Sequence, residues 1–144
     1  MNYRKIGTTN ISISEIGFGT WGIGGNRGNV LGYGPTNENE MVQLVCQAVG
    51  NGINYFDTAP LYGSGQSEKI LGLAHSVYKK EFIVSSKVGF DENGCIDFTL
   101  KGIQNSVERS LKRLKREIID ILFLHSPDIL DKSLKYASTF RQAF

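Results

Sequence analysis

Phe82-Ile83-Val84-Ser85-Ser86-Lys87-Val88 is the stretch on which the fold turns, because it reads as a largely buried strand with a helix and a second strand after it. Ile103, Val107, Leu111 and Leu114 recur at helical spacing, and Ile118 to Leu124 is nearly all apolar apart from Asp120. Strand, helix and strand in that order imply a parallel pair, since parallel neighbours need a crossover and the crossover is usually helical. The run 118–124 suits a strand buried on both faces. Toward the N-terminus the same alternation repeats. Ile53-Asn54-Tyr55-Phe56-Asp57 reads as a strand, and Ser67-Glu68-Lys69-Ile70-Leu71 opens a helix with Ser67 as N-cap. Met41, Leu44, Val45, Ala48 and Val49 mark an amphipathic helix, capped by Asn37 with Glu40 and stopped near Gly50. Glu15 to Thr20 is a short candidate strand, and Tyr3–Ile6 with Ile11–Ile13 flank the turn residues 7–10 as a hairpin. The class is α/β: a hairpin, four parallel strands and three clear helices, with Leu130, Leu134 and Ala137 hinting at a fourth helix.

Composition narrows the partners. The chain has 144 residues, 40% hydrophobic and 21% charged, which suits one globular core. Its net charge of +2 is spread over mixed acids and bases, so no broad field argues for a nucleic acid or an anionic membrane. Cys46 and Cys95 have no metal-ligand spacing and read as free thiols, with no metal site expected. No N-terminal apolar signal core is evident, and no run reaches the roughly 18 apolar residues of a membrane span, so a cytoplasmic, soluble protein is expected. Without a secretory signal, the sequon Asn10-Ile11-Ser12 carries no glycosylation expectation.

In parallel α/β proteins the loops at the carboxyl ends of the strands build the site. Asp57 ends one strand, Tyr62 comes after it, Lys87 ends the next and His125 ends the last. Singly, each has an ordinary explanation: a turn former, a loop aromatic, a solvated charge, a residue stopping the strand before Ser126-Pro127. Together they place an acid, a phenol, an ammonium and an imidazole on one rim. An ammonium stabilises a phenolate, whose free pKa is about 10, and so makes tyrosine a usable proton donor near neutrality. Asp57 would fix Lys87, and His125 would hydrogen-bond the substrate oxygen as charge develops. The glycine-rich stretch 22–35 is the kind of loop that lies over a binding site.

These words, in order, resemble the aldo-keto reductase family. Gly17-Phe18-Gly19-Thr20-Trp21, Tyr55-Phe56-Asp57-Thr58-Ala59-Pro60-Leu61-Tyr62-Gly63, Ser67-Glu68-Lys69-Ile70-Leu71-Gly72, Ser85-Ser86-Lys87 and Ile119-Asp120-Ile121-Leu122-Phe123-Leu124-His125 are collinear with it. The resemblance implies a catalytic tetrad of Asp57, Tyr62, Lys87 and His125, with hydride passing from NADPH to the carbonyl carbon of an aldehyde, ketone or sugar. It also implies cofactor contacts at Thr20, Trp21 and Asp57, and a substrate pocket including Trp21, Tyr62 and His125.

The implied fold is the N-terminal half of a (β/α)8 TIM barrel, which typically takes about 250 residues when closed. Residues 1–144 are then expected to be an incomplete aldo-keto reductase domain, with a hairpin at 1–14 and a divergent segment at 129–144. Weak or absent turnover is expected of such a chain alone. The alternative is an association or regulatory module pairing through open strand edges, as the related potassium-channel β subunits illustrate for the family. Two other signals are set aside. Gly17 to Gly22 fits G-x-G-x-x-G but opens no helix directly, and the basic run Lys112-Arg113-Lys115-Arg116 complements a helix C-terminus.

Overall fold

A computed structural model of the chain describes residues 1–27, 32–127 and 130–143. The hairpin forms from β1 (Tyr3–Lys5) and β2 (Ser12–Ser14), with Tyr3 opposite Ser14. Asn54 clamps it, accepting from the Ser14 amide at 2.6 Å and donating to the Ser12 carbonyl at 2.9 Å. Because Asn54 immediately precedes a strand, the hairpin sits at the amino end of the sheet, away from the rim where chemistry is expected.

That sheet is parallel, in the order β3 (Phe18–Gly19), β4 (Tyr55–Asp57), β5 (Ile83–Val88) and β6 (Ile121–Leu124). Between the strands run α1 (Trp21–Gly24), α2 (Glu38–Gly50), α3 (Gln66–Tyr78) and α4 (Leu100–Leu114), and α5 (Leu130–Ala143) comes after β6. The alternation read from the sequence is therefore the alternation observed. Asn37 caps α2 as expected, its Oδ1 accepting from the Glu40 amide at 3.2 Å. Between sheet and helices lies one apolar core, in which Phe56 and Phe82 meet at 4.8 Å between ring centroids and Ile70, Val84 and Leu114 are fully buried. Each such side chain removed from water contributes about 1.5–3 kcal/mol before the entropy of ordering it.

Several expectations are corrected. The strand at 15–20 shrinks to Phe18–Gly19, because Thr20 already leads into α1. The glycine-rich stretch contains that single helical turn, while its residues 28–31 lie outside the described ones. Leu44 is exposed, since the face of α2 turned to the sheet is centred on Val45 and Val49. Ser67 is not a cap: Gly65, at a left-handed φ of 84°, precedes α3, and Ser67 is fully buried one residue inside the helix. The run 118–124 is a strand only at Ile121–Leu124 and is not buried on both faces, for β6 is the last strand of the sheet and leaves Phe123 45% exposed. Of the expected 129–144 segment, 130–143 contains α5, while residues 129 and 144 lie outside the described ones.

The helices close tightly where size allows it. A Cβ at Gly72 would stand 2.4 Å from the Arg113 carbonyl oxygen, so only glycine lets α3 approach α4 there. Beneath that contact Glu68, wholly buried, accepts from Arg113 Nε at 2.7 Å and from Ser86 Oγ at 2.7 Å, joining α3, α4 and β5.

Candidate active site

Parallel pairing brings the strand ends into line. Asp57 on β4 stands opposite Ser85 on β5, and Lys87 lies two residues further along β5, on the same face as Ser85. Lys87 Nζ therefore reaches back to Asp57 Oδ2 at 2.8 Å and to the Thr58 carbonyl at 2.8 Å. Ser85 Oγ donates to the other carboxylate oxygen of Asp57 at 2.7 Å. With that proton committed, the contact between Tyr55 OH and Ser85 Oγ at 3.0 Å must have Tyr55 as donor. Both Asp57 oxygens are thus bound, and the ammonium is fixed from two sides.

Tyr62 comes from the turn after β4, where its amide donates to the Ala59 carbonyl at 3.1 Å and its own carbonyl accepts from the Ser67 amide at 3.2 Å. The Lys87 ammonium lies 4.6 Å from the centroid of its ring, within range for a cation–π contact. His125 comes directly after β6, its amide bonded to the Val88 carbonyl at 2.8 Å, and Ser126 turns the chain away at a φ of 44°. The imidazole meets Tyr62 edge to face at 6.1 Å and Phe90 at 5.2 Å. Burial holds its pKa below the ordinary histidine range, and Lys87 pushes the same way, against a smaller opposing effect of Asp57. Burial and Lys87 both favour the neutral imidazole, whose buried Nδ1 has no partner among the described residues. Asp57, Tyr62, Lys87 and His125 line one depression of about 510 Å³, together with Tyr55 and Phe123.

The remaining expected contacts fall elsewhere. Thr20 is completely buried, and both its amide and its hydroxyl donate to the Asp57 carbonyl, at 2.9 and 2.8 Å. Its own carbonyl takes the Ser67 hydroxyl at 2.5 Å. Thr20 thus braces the end of β4 in this structure and presents no surface to the depression. Trp21 is exposed and packs edge to face on Tyr33 at 4.7 Å, outside the lining of the depression. The set expected from sequence omits Ser85 and Tyr55, which orient Asp57. A signal for Ser85 is present in the chain, because alternate residues of a strand share a face and Ser85 is two before Lys87. Among the described residues no three His, Cys, Asp or Glu side chains gather as a metal-ligand group, and no helix is long and apolar enough to cross a membrane.

With a parallel α/β frame and this cluster on one rim, comparison with known proteins is direct. The sequence profile of the Aldo/keto reductase family matches residues 15–143. The chain belongs to that family of oxidoreductases. Aldo-keto reductase YhdN of Bacillus subtilis is 39% identical over 135 residues, covering 90% of this chain and 39% of that protein. L-galactose dehydrogenase of Arabidopsis thaliana is 37% identical over 125 residues, covering 85% and 37% respectively. Among solved structures, the holo form of aldo-keto reductase AKR11C1 from Bacillus halodurans superimposes with a TM-score of 0.75 at 29% identity, over 99% of this chain and 47% of that one. Glycerol dehydrogenase AKR11B4 from Gluconobacter oxydans gives 0.74 at 32%, over 97% and 45%. The four-strand sheet therefore matches part of an aldo-keto reductase TIM barrel, and the chain spans less than half the length of these relatives.

Proposed function

We propose that this chain carries the proton-delivering side of an NADPH-dependent carbonyl reductase, with Tyr62 as the acid. The observation that carries this reading is the Lys87 ammonium, bound to Asp57 at 2.8 Å and poised 4.6 Å from the Tyr62 ring centroid. A positive charge so held stabilises a tyrosinate as it forms, and it needs no reorganisation at the moment of reaction. The neutral imidazole of His125, on the same depression, hydrogen-bonds and orients the substrate oxygen. Tyr62 then gives its proton to that oxygen, and the tyrosinate recovers a proton from solvent.

When bound, NADPH supplies the hydride that reduces the carbonyl carbon to an alcohol carbon. The reacting end of that cofactor would lie over the depression lined by Asp57, Tyr62, Lys87 and His125, whose lining does not include Trp21. This donor set does not fit the phosphates, because Lys87, the cation lining the depression, is already committed to Asp57 and Thr58. Small aldehydes, ketones and sugars are the proposed substrates, in keeping with the L-galactose and glycerol dehydrogenases it resembles. A cytoplasmic setting suits the NADPH supply and the unpaired thiols of Cys46 and Cys95.

Reduction of a reactive aldehyde, monitored by NADPH absorbance, tests the reading. Turnover that falls about 10²–10⁴-fold in Tyr62→Phe is expected of a lost general acid. The parent chain alone is expected to turn over weakly or not at all, and undiminished turnover in Tyr62→Phe would remove Tyr62 from the role.

A second reading, in which the chain pairs with another copy or a complementing chain, is favoured by one observation: β6 ends the sheet with Phe123 45% exposed. Light scattering separates the two, since a monodisperse monomer excludes pairing between copies.

A further inference from the structure

The loop after β5, including Phe90, and α4 line a second polar cavity of about 180 Å³. Ser106 and Arg109 line it from α4, and Asp91, Cys95 and Asp97 line it from the loop. Ser106 is only 5% exposed, and its Oγ has no hydrogen-bond partner among the described residues. Arg109 Nε is also buried without a hydrogen bond. Glu92 Oε2 stands 3.3 Å away, close enough for charge attraction but not aligned to accept the N–H. A buried hydroxyl left open as Ser106 is costs about 1–3 kcal/mol, so a polar group arriving in the cavity gains what the fold has not supplied.

The opposite wall has the complementary character. Asp91 Oδ1 accepts from the Asn93 and Cys95 amides at 2.9 and 2.8 Å, and Asp97 Oδ1 accepts from the Thr99 amide and hydroxyl at 2.9 and 2.7 Å. These bonds hold in place two carboxylates that line the same cavity as Ser106 and Arg109. A simple anion would meet two carboxylates, and a simple cation would meet the guanidinium. The group that satisfies both walls is one that donates and accepts at every position, a set of neighbouring hydroxyls. The volume equals that of roughly six water molecules at liquid density, which suits a polyol of three or four carbons.

We propose that this cavity is a binding site for a small neutral polyol or short-chain sugar, separate from the tetrad depression and sharing the Phe90–His125 wall with it. The site goes beyond the reductase reading and stands or falls independently of it. Cys95, an exposed thiol on the cavity wall, serves as the reporter, and the half-buried Cys46 in α2 as the internal control. The full chain is alkylated with iodoacetamide in the presence of increasing erythritol, and modification at each cysteine is measured by peptide mass. Slowing confined to Cys95 is expected, with the half-protecting concentration raised about tenfold in Ser106→Ala. That variant keeps the fold, because the hydroxyl it deletes has no partner among the described residues, and Tyr62→Phe leaves the protection unchanged whatever it does to reduction. Equal slowing at both cysteines, no slowing at Cys95, or undiminished protection in Ser106→Ala would each overturn the proposal.

Discussion

Glu68–Arg113 and Asp57–Lys87 are ion pairs of nearly the same length, 2.7 and 2.8 Å, in different surroundings. Glu68 is wholly buried with both oxygens occupied, whereas the Asp57 side chain is 32% exposed and its lysine also faces Tyr62 at the rim. The first pair holds helices to a strand. The second is poised toward a depression where something can bind. A third pair, Arg4–Glu15, is again 2.7 Å long, yet its arginine side chain is 75% exposed on the hairpin. Distance alone therefore says little about what an ion pair does; desolvation and the groups around it decide.

Breaking the buried pair should have the largest effect. Glu68→Ala takes from Arg113 its buried partner, leaving it Glu92 at 3.5 Å, and is expected to cost about 3 kcal/mol in urea unfolding. A loss below about 1 kcal/mol would mean that water reaches the guanidinium and the two pairs are alike.

At the rim the effect should move from stability to chemistry. Lys87→Met is expected to lower aldehyde reduction about 10²–10⁴-fold while barely shifting the urea midpoint, because Ser85 still holds Asp57 beside solvent. A stability loss matching that of Glu68→Ala would erase the distinction.

Acid sharpens the contrast on a smaller scale. His125 binds a proton less readily in the folded chain than in the unfolded one, so its contribution to stability is complete above the ordinary histidine value of about 6.5. That contribution is lost as pH falls through this value toward the lower folded one. The urea midpoint should consequently drop more between pH 7 and pH 5 in the parent chain than in His125→Asn, and equal drops would contradict the assigned burial effect. The smallest change is expected at the surface, where Arg4→Ala should alter stability by about 0–1 kcal/mol and lose even that in high salt.

Much of this organisation was legible in the chain itself. The helix cap at Asn37, the crossover order and the four rim residues come from local spacing, because strand ends and turns are announced by neighbouring residues. Other features depended on partners far away in sequence. Glu68 shows in the chain only as part of a helix start, and it is Arg113, 45 residues on, that makes its burial tolerable. The resemblance implies a cofactor contact at Thr20, but that its hydroxyl donates to the Asp57 carbonyl, 37 residues away, appears only in the fold. β6 reads as doubly buried because an apolar run does not say how many strands flank it.

The sequence by itself determined the alternation of strands and helices and the side chains that gather at one rim, since periodicity and strand-end position are properties of short segments, while its ordered motifs carried the resemblance to an oxidoreductase family. Only the tertiary structure decided which ion pair is sealed and which looks onto a depression, that Thr20 braces while Ser85 orients, and that Ser106 has no partner among the described residues. Those outcomes depend on which groups lose their water together, and that is set where distant segments meet.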